Sequence, residues 1–555
     1  MYILPKNFTS LQFLIGLALC ASSTSALAFY PPPPFPCLHS YTEYWHDIAV
    51  YAASNKIYVT NKYAKVNCSL SDSSTFVPPD VTVIDGATND MNTVNLNWLT
   101  SVQAQFITAI AVNPATNKFY MANSNIVSVI DDATNTVSTI PTNSDISALA
   151  VNPATNKIYV ANRNSNSVTL HGSNSVTVID GETNTTSTTI VLPNQSDFSF
   201  IDLMTVNSVT NKIYLRNWIH DTVSVIDGAT NTVSTVTVAP GYDFSDVAIN
   251  PVTNKIYVSK YAYADGLSSV MVIDGATNTT STVAVSGYTE TLAVNTVTNK
   301  IYVLHPTNNT VTVIDGATNT TSTLATGITP LAIALNGKTN KIYVANFDSN
   351  SVTVIDGATN TTNTVTVGTH PNSLAVNPET NKVYVTSYDD NNITVIEDYV
   401  VEFYNTHLDN YFITASASEA SAIDGGSAGP GWIRTGNTFK SGGSTAVCRF
   451  YGSQSPGPNS HFYALLGAEC DNLKQLQATT PATEKRWNFE SLDFLSTVPI
   501  NNTCASGLLP VYRAYNNGFA RGVDSNHRIS TSQPAIQEVI NRGWINEGVV
   551  MCAPN

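Results

Sequence analysis

Few residues in this chain have types and spacings that could do chemistry. Nine histidines are scattered from His39 to His527, none in a His-Glu-x-x-His pair, and no phosphate loop is present. No catalytic residue, metal ligand or cofactor is therefore expected. The residues best suited to a ligand are aromatics beside acids: Phe198, Phe200, Tyr242, Asp243 and Tyr288. Rings give flat contact area and a carboxylate accepts hydrogen bonds, a pairing that suits a sugar or a peptide. His461 and His527 recur at similar places late in the chain and are read as packing residues.

Cysteine use points to oxidising surroundings. Cys20 lies in an N-terminal apolar stretch of signal-peptide form, with Lys6 before it and Ala26-Leu27-Ala28 after it. Cleavage before Phe29 leaves Cys37, Cys68, Cys448, Cys470, Cys504 and Cys552. An even count in an exported chain suggests disulfides, and the expected pairs are Cys37–Cys68, Cys448–Cys470 and Cys504–Cys552.

The elements that must position these residues are short. Residues 331–371 contain four runs with period-two alternation, broken by Gly, Pro, Asn and Asp, which predicts four strands joined by turns. The first run is apolar on both faces and the fourth is half threonine. That gradient predicts an order in space from inside to outside.

The unit recurs. Asn-Lys followed by an apolar residue and Tyr starts at Asn55, Asn117, Asn156, Asn211, Asn254, Asn299, Asn340 and Asn381. From Asp274 to Asp315, to Asp356, to Glu397, each step is 41 residues. A period near forty with four strands per unit is a propeller signature. Tyr58-Val59-Thr60-Asn61, Tyr159-Val160-Ala161-Asn162 and Val311–Asp315 resemble the YVTN family of β-propeller repeats, which occurs in prokaryotic surface-layer and exported proteins. The resemblance covers residues 47–397 and implies a scaffold rather than an activity.

The expected fold is mainly β: an eight-bladed β-propeller, with seven blades as the alternative, plus a small β-rich C-terminal domain. The domains run 1–28 (signal peptide), 29–46 (Pro-rich segment and ring-closing strand), 47–398 (propeller) and 399–555. Eight copies of the first three strands but seven fourth strands are visible. Cys37–Trp45 is expected to supply the missing strand, with Tyr399–Tyr404 as its rival. In the last part, Val401–Tyr404, Cys448–Tyr451 and Tyr512–Tyr515 each start a similar unit that ends near Trp432, Trp487 or Trp544, with a short helix between. It resembles an uncharacterised repeat domain appended to exported bacterial proteins.

Composition narrows the partners. Charged residues are 12% of the chain and net charge is −15, so a phosphate backbone is repelled and nucleic acid is excluded as a partner. No membrane insertion is expected after signal cleavage; the oligomeric state is open. The Asp-Gly-Ala-Thr-Asn and Asn-Lys turns are read as scaffold: Asp caps the turn, Gly supplies backbone freedom, and the lysines are solvated. Those turns share one face. The other face carries irregular loops, including the connections that hold Phe198, Phe200, Tyr242, Asp243 and Tyr288. Diversity over a repeated scaffold is how binding surfaces are built. The chain therefore reads as a secreted or cell-surface binding or adhesion protein, periplasmic in the alternative, for a glycan or a cell-surface protein. The alternatives are a propeller enzyme, lactonase-like or redox, and a structural surface-layer component.

Overall fold

The computed structural model describes residues 45–62, 81–86, 90–94, 107–123, 125–142, 144–163, 175–192, 201, 203–217, 222–238, 243–261, 268–390, 392–452, 460–518 and 524–555. Among them are seven four-stranded sheets and four three-stranded sheets, all antiparallel, so the fold is mainly β and propeller-like. Residues 45–397 form eight consecutive sheets, one per sequence repeat, with strands in simple chain order. The first seven have four strands and the eighth has three: Pro371–Asn377, Lys382–Ser387 and Ile393–Glu397.

The first strands of the eight units lie against one another in a closed cycle, and the strand Trp45–Tyr51 packs on Pro371–Asn377. Burial follows from that position, and not as the apolar gradient suggested. The most enclosed strands are the second ones, such as Lys341–Asn346, which is buried throughout. The first strand, Pro330–Asn336, is buried only at its ends. It faces the middle of the ring, where no further layer of the described residues covers it, while second and third strands are sandwiched between neighbouring sheets. The fourth strand, Thr362–Thr366, is exposed at alternate residues, as its threonines require.

A girdle of side chains ties the units together. Asn113, Asn152, Asn207, Asn250, Asn295 and Asn336 each donate to the carboxamide oxygen of the Asn that precedes Lys in the next unit, at 2.7–2.9 Å. Asn377 donates to Asn55 at 2.6 Å, and Tyr51 stands in the same place in unit one and donates to Asn117. The acceptor asparagines all hold φ between 52° and 57°. Asn tolerates that left-handed turn better than other residues with a Cβ.

The girdle corrects two expectations. The glycine after the third-strand Asp does not have positive φ; the left-handed residue of that turn is the Asn, for example Asn319 at 59°. Glycine is required because a Cβ on Gly316 would lie 2.5 Å from Asn299 Oδ1. The turn lysines are not solvated either. Lys212, Lys255, Lys300 and Lys382 reach the glycine carbonyl of the next unit at 2.6–2.8 Å. The Asp cap does form: Asp315 Oδ1 accepts from the amides of Ala317 and Thr318, both at 2.9 Å.

Residues 399–555 form three further units, each a three-stranded sheet with its first strand in the middle. Tyr399–Asn405 is the centre of the first, so it does not complete the eighth sheet. The other candidate for that role, Cys37–Trp45, lies outside the described residues except for Trp45. The helices are α1 (Ala417–Asp424), α2 (Ala468–Thr479) and α3 (Gln533–Asn541). Trp432 and Trp487 open long final strands rather than ending their units, and Trp544 precedes one.

Charged seams join these three units. Arg449 meets Glu419 of α1 at 2.7 Å, and Arg513 meets Glu469 of α2 at 3.2 Å. At the third seam the polarity is reversed: Glu402 occupies the arginine position, and Arg528 bridges it to Glu538 of α3. Each guanidinium also lies over a ring, of Phe412, Phe462 or Tyr411. Disulfides Cys448–Cys470 and Cys504–Cys552 are formed. Cys37 and Cys68 lie outside the described residues. The tail docks on the turn face of the eighth unit, where Gly443 N donates to Glu379 O at 2.9 Å and Asn381 donates to Ser441 at 3.1 Å.

Candidate functional site

The loop face opposite the Asn girdle carries the candidate site. Phe198, Phe200 and Tyr242 lie outside the described residues. Asp243 is not in a connection as expected; it opens the first strand of unit five, paired with Tyr261. Tyr288 is half-buried and meets Tyr261 edge-to-face at 5.1 Å. The structure thus brings Tyr288 and the backbone of Asp243 to the same strand end, with Tyr261 between them.

A buried polar chain holds this corner. At the end of the second strand, where units three and seven have Ala-Asn, units four to six carry Arg216, Lys260 and His305. Each is less than 5% exposed. Arg216 donates to Ser245 O at 2.8 Å, and Ser245 donates to Thr289 O at 2.7 Å. Asp246 accepts from Thr291 Oγ1 at 2.7 Å and from Leu292 N at 3.0 Å. His305 sits between the Tyr288 carbonyl and Thr312. Burial lowers the His305 and Lys260 pKa values and raises that of Asp246. These groups fix the connections into units five and six; Arg216, Lys260 and His305 do not face solvent, so they position the tyrosines rather than touch a ligand. The break in the Ala-Asn pattern was the sequence signal for them.

A second aromatic and acidic cluster was not anticipated. Phe347 stacks on His370 at 4.5 Å, with Tyr388 6.1 Å away. His370 Nδ1 meets Asp389 Oδ2 at 2.5 Å. The three rings are half-buried, and Asp348, Asp389 and Asp390 around them are exposed. The loops beneath repeat one device in consecutive units. Asn309 accepts from Thr329 N, and Asn350 from His370 N, both at 2.9 Å. Thr329 and His370 hold φ of 57° and 52° and each precedes a proline. The signal available in the sequence was this paired Gly-x-Thr-Pro and Gly-x-His-Pro. Half-open rings with carboxylates beside them can stack on a sugar ring and accept its hydroxyl protons.

The tail holds no comparable constellation. His527 stacks on Tyr515 at 4.7 Å and meets Phe462 edge-on, and burial lowers its pKa to about 3. It is a packing residue. His461 meets Phe412 edge-on and Tyr451 at a tilt, and reaches Glu490 at 3.3 Å. Gly425–Gly429 matches Gly-x-Ser-x-Gly in letters. It follows α1 instead of joining a strand to a helix, and Ser427 is exposed, so it is no nucleophile elbow. Among the described residues, no group of His, Cys, Asp and Glu could hold a metal ion, and no helix is long and apolar enough to cross a membrane.

A family model described as "Domain of unknown function (DUF5648)" matches residues 375–479 and 399–554, which is the tail and its junction with the eighth unit. No curated protein matches the chain. Among solved structures, Kuenenia stuttgartiensis hydrazine synthase is similar with a TM-score of 0.42 and 17% identity, over 54% of this chain and 97% of that one.

Proposed function

We propose that this chain is an exported, non-catalytic binding or adhesion protein. The repeats are read as an eight-bladed YVTN-type β-propeller that presents one irregular face to a glycan or a cell-surface protein. Two disulfides fit an oxidising, extracytoplasmic setting. The carrying observation is the asymmetry of the two faces. One is uniform, crosslinked by the Asn girdle and occupied in part by the tail. The other bears the half-open Phe347, His370 and Tyr388 cluster amid exposed acids, and the Tyr261 and Tyr288 pair. Packing does not need partly exposed rings, whereas recognition does.

The test is a glycan array and a cell-surface pull-down with the full chain, wild type and carrying Phe347→Ala with Tyr388→Ala. The expected result is at least tenfold weaker retention with an unchanged thermal midpoint. Equal retention by both proteins would place recognition away from this face.

A further inference from the structure

The seam between the seventh and eighth units differs chemically from the others. Six units have Gly after the third-strand acid, and five lysines of preceding units donate to those glycine carbonyls. The eighth unit has Asp398 in that place. Asp398 Oδ2 accepts from Lys341 Nζ at 2.6 Å and from Asn381 Nδ2 at 3.0 Å. An amine and a carboxamide nitrogen thus flank one carboxylate oxygen. Lys341 Nζ has a second, longer contact with Ala415 O at 3.4 Å. Asn381 Oδ1 accepts from Asn336 Nδ2 at 2.7 Å, and Asn381 Nδ2 also donates to Ser441 Oγ at 3.1 Å. The node is largely shielded from water: Asn381 is 1%, Ser441 3% and Lys341 8% exposed, and the Asp398 side chain 15%. The buried Tyr343 ring lies beside it, and the Asp398 charge adds to burial in raising the Tyr343 phenol.

We propose that this node is a modification site at which Lys341 and Asn381 become joined by an isopeptide bond. Nζ attacks Cγ of Asn381; the Nζ–Cγ bond forms and the Cγ–Nδ2 bond breaks. Asp398 takes a proton from Nζ and delivers one to Nδ2, which leaves as ammonia. The reaction needs no oxidant, reductant or second substrate. Each requirement has a residue. Asp398 is within hydrogen-bond reach of both nitrogens, as a proton shuttle must be. The Asn336 N–H faces the oxygen on which negative charge develops. Burial keeps competing water away and the fold holds both partners in place.

The second position with Asp in place of Gly is a built-in contrast. Asp132 meets Lys56 at 3.2 Å, but the same oxygen accepts from Tyr58, and Asn117 accepts from Tyr51. Among the described residues no hydrogen bond joins the Asn117 side chain to Asp132, so no carboxamide shares that carboxylate. The crosslink is therefore specific to the seam where the tail enters, and it fastens the seventh unit to the eighth.

Mass spectrometry of the reduced, denatured full-length protein tests this. The expected mass is lower than the sequence requires by one ammonia, beyond the loss of any cleaved leader. Trypsin should then leave the chain uncut after Lys341 and yield one looped peptide, Thr339–Lys382, in which Lys341 is joined to Asn381 and whose mass is one ammonia short. Lys341→Arg and Asp398→Ala should restore the ammonia, while Lys382→Arg, at the equivalent lysine facing Gly86, should not. A wild-type protein of full mass overturns the proposal. So does an ammonia loss that maps to succinimide at Asn336-Gly337, in the peptide ending at Lys338, instead of to the looped peptide. Because the wild-type spectrum decides, failure of a variant to fold does not shelter the idea.

Discussion

Asn377 donates its side-chain amide to the carboxamide oxygen of Asn55 at 2.6 Å, although 322 positions of chain separate them. The same bond, between neighbouring units, recurs six times at separations of 43 to 59. A local repeat contact has become the contact that closes the cycle. Lys382, which reaches Gly86 O at 2.8 Å, reinforces it. Closing so long a loop is entropically costly, so this junction is where the ring should open first.

Replacing Asn377 with Ala should lower stability by about 1–3 kcal/mol, because it leaves the Asn55 acceptor unpaired and removes the cap on Glu379 N. Asn250→Ala removes the equivalent groups within the ring and should cost a similar amount. Hydrogen exchange separates the two. Only Asn377→Ala should loosen Trp45–Tyr51 and Pro371–Asn377 together. Equal exchange in both variants would show that the junction is not the weak point.

Gly316→Ala should destabilise by about 1–3 kcal/mol, since the added methyl meets Asn299 Oδ1 at 2.5 Å and its carbonyl at 2.7 Å. Gly337→Ala should be nearly neutral, because its methyl meets only Val297 at 3.6 Å. Chemical denaturation of the two variants checks this. Equal midpoints would refute the steric reading of the Asp-Gly turn.

The tail should respond to pH at two groups of opposite sign. Burial raises Asp493 to about 6, so its favourable contribution holds below its unfolded value and is lost as pH rises from about 4 to about 6. Burial lowers His527 to about 3, so stability is lost as pH falls from about 6.5 toward 3, where only the unfolded chain takes up the proton. Asp493→Asn should flatten the first slope and leave the second. Denaturation at a series of pH values reads both, and an unchanged slope between pH 4 and 6 in that variant would be the contrary outcome.

Ser replacement of Cys448 and Cys470 should cost the tail about 2–4 kcal/mol, for a crosslink spanning 22 residues. The disulfide lies within the second tail unit, away from the Asn girdle. Calorimetry should therefore show the tail transition fall while the propeller transition stays. A drop in both would mean that the two parts unfold as one.

The amino-acid order alone determined the strands and the repeat. Period-two alternation and turn residues are local signals, and eight copies amplify them. The Asp cap at Asp315 was legible for the same reason, since its partners lie two and three residues away. The cysteine pairs of the tail were legible because each joins neighbouring elements of one unit.

Only the tertiary structure decided what the repeated residues do between units. Asn250 reads as a turn residue until Asn299 is placed against it, and Lys255 reads as solvated until Gly316 O lies 2.8 Å away. Asp398 reads as the last residue before the C-terminal domain until Lys341 and Asn381 converge on it. The half-buried rings of the loop face show the same limit. Phe347 and His370 stack although 23 residues separate them, across two loops that no periodicity relates. A sequence pattern reports the environment of a residue along its own strand. Contacts across a seam depend on how neighbouring sheets rotate and pack, and that is fixed by the closure of the ring as a whole.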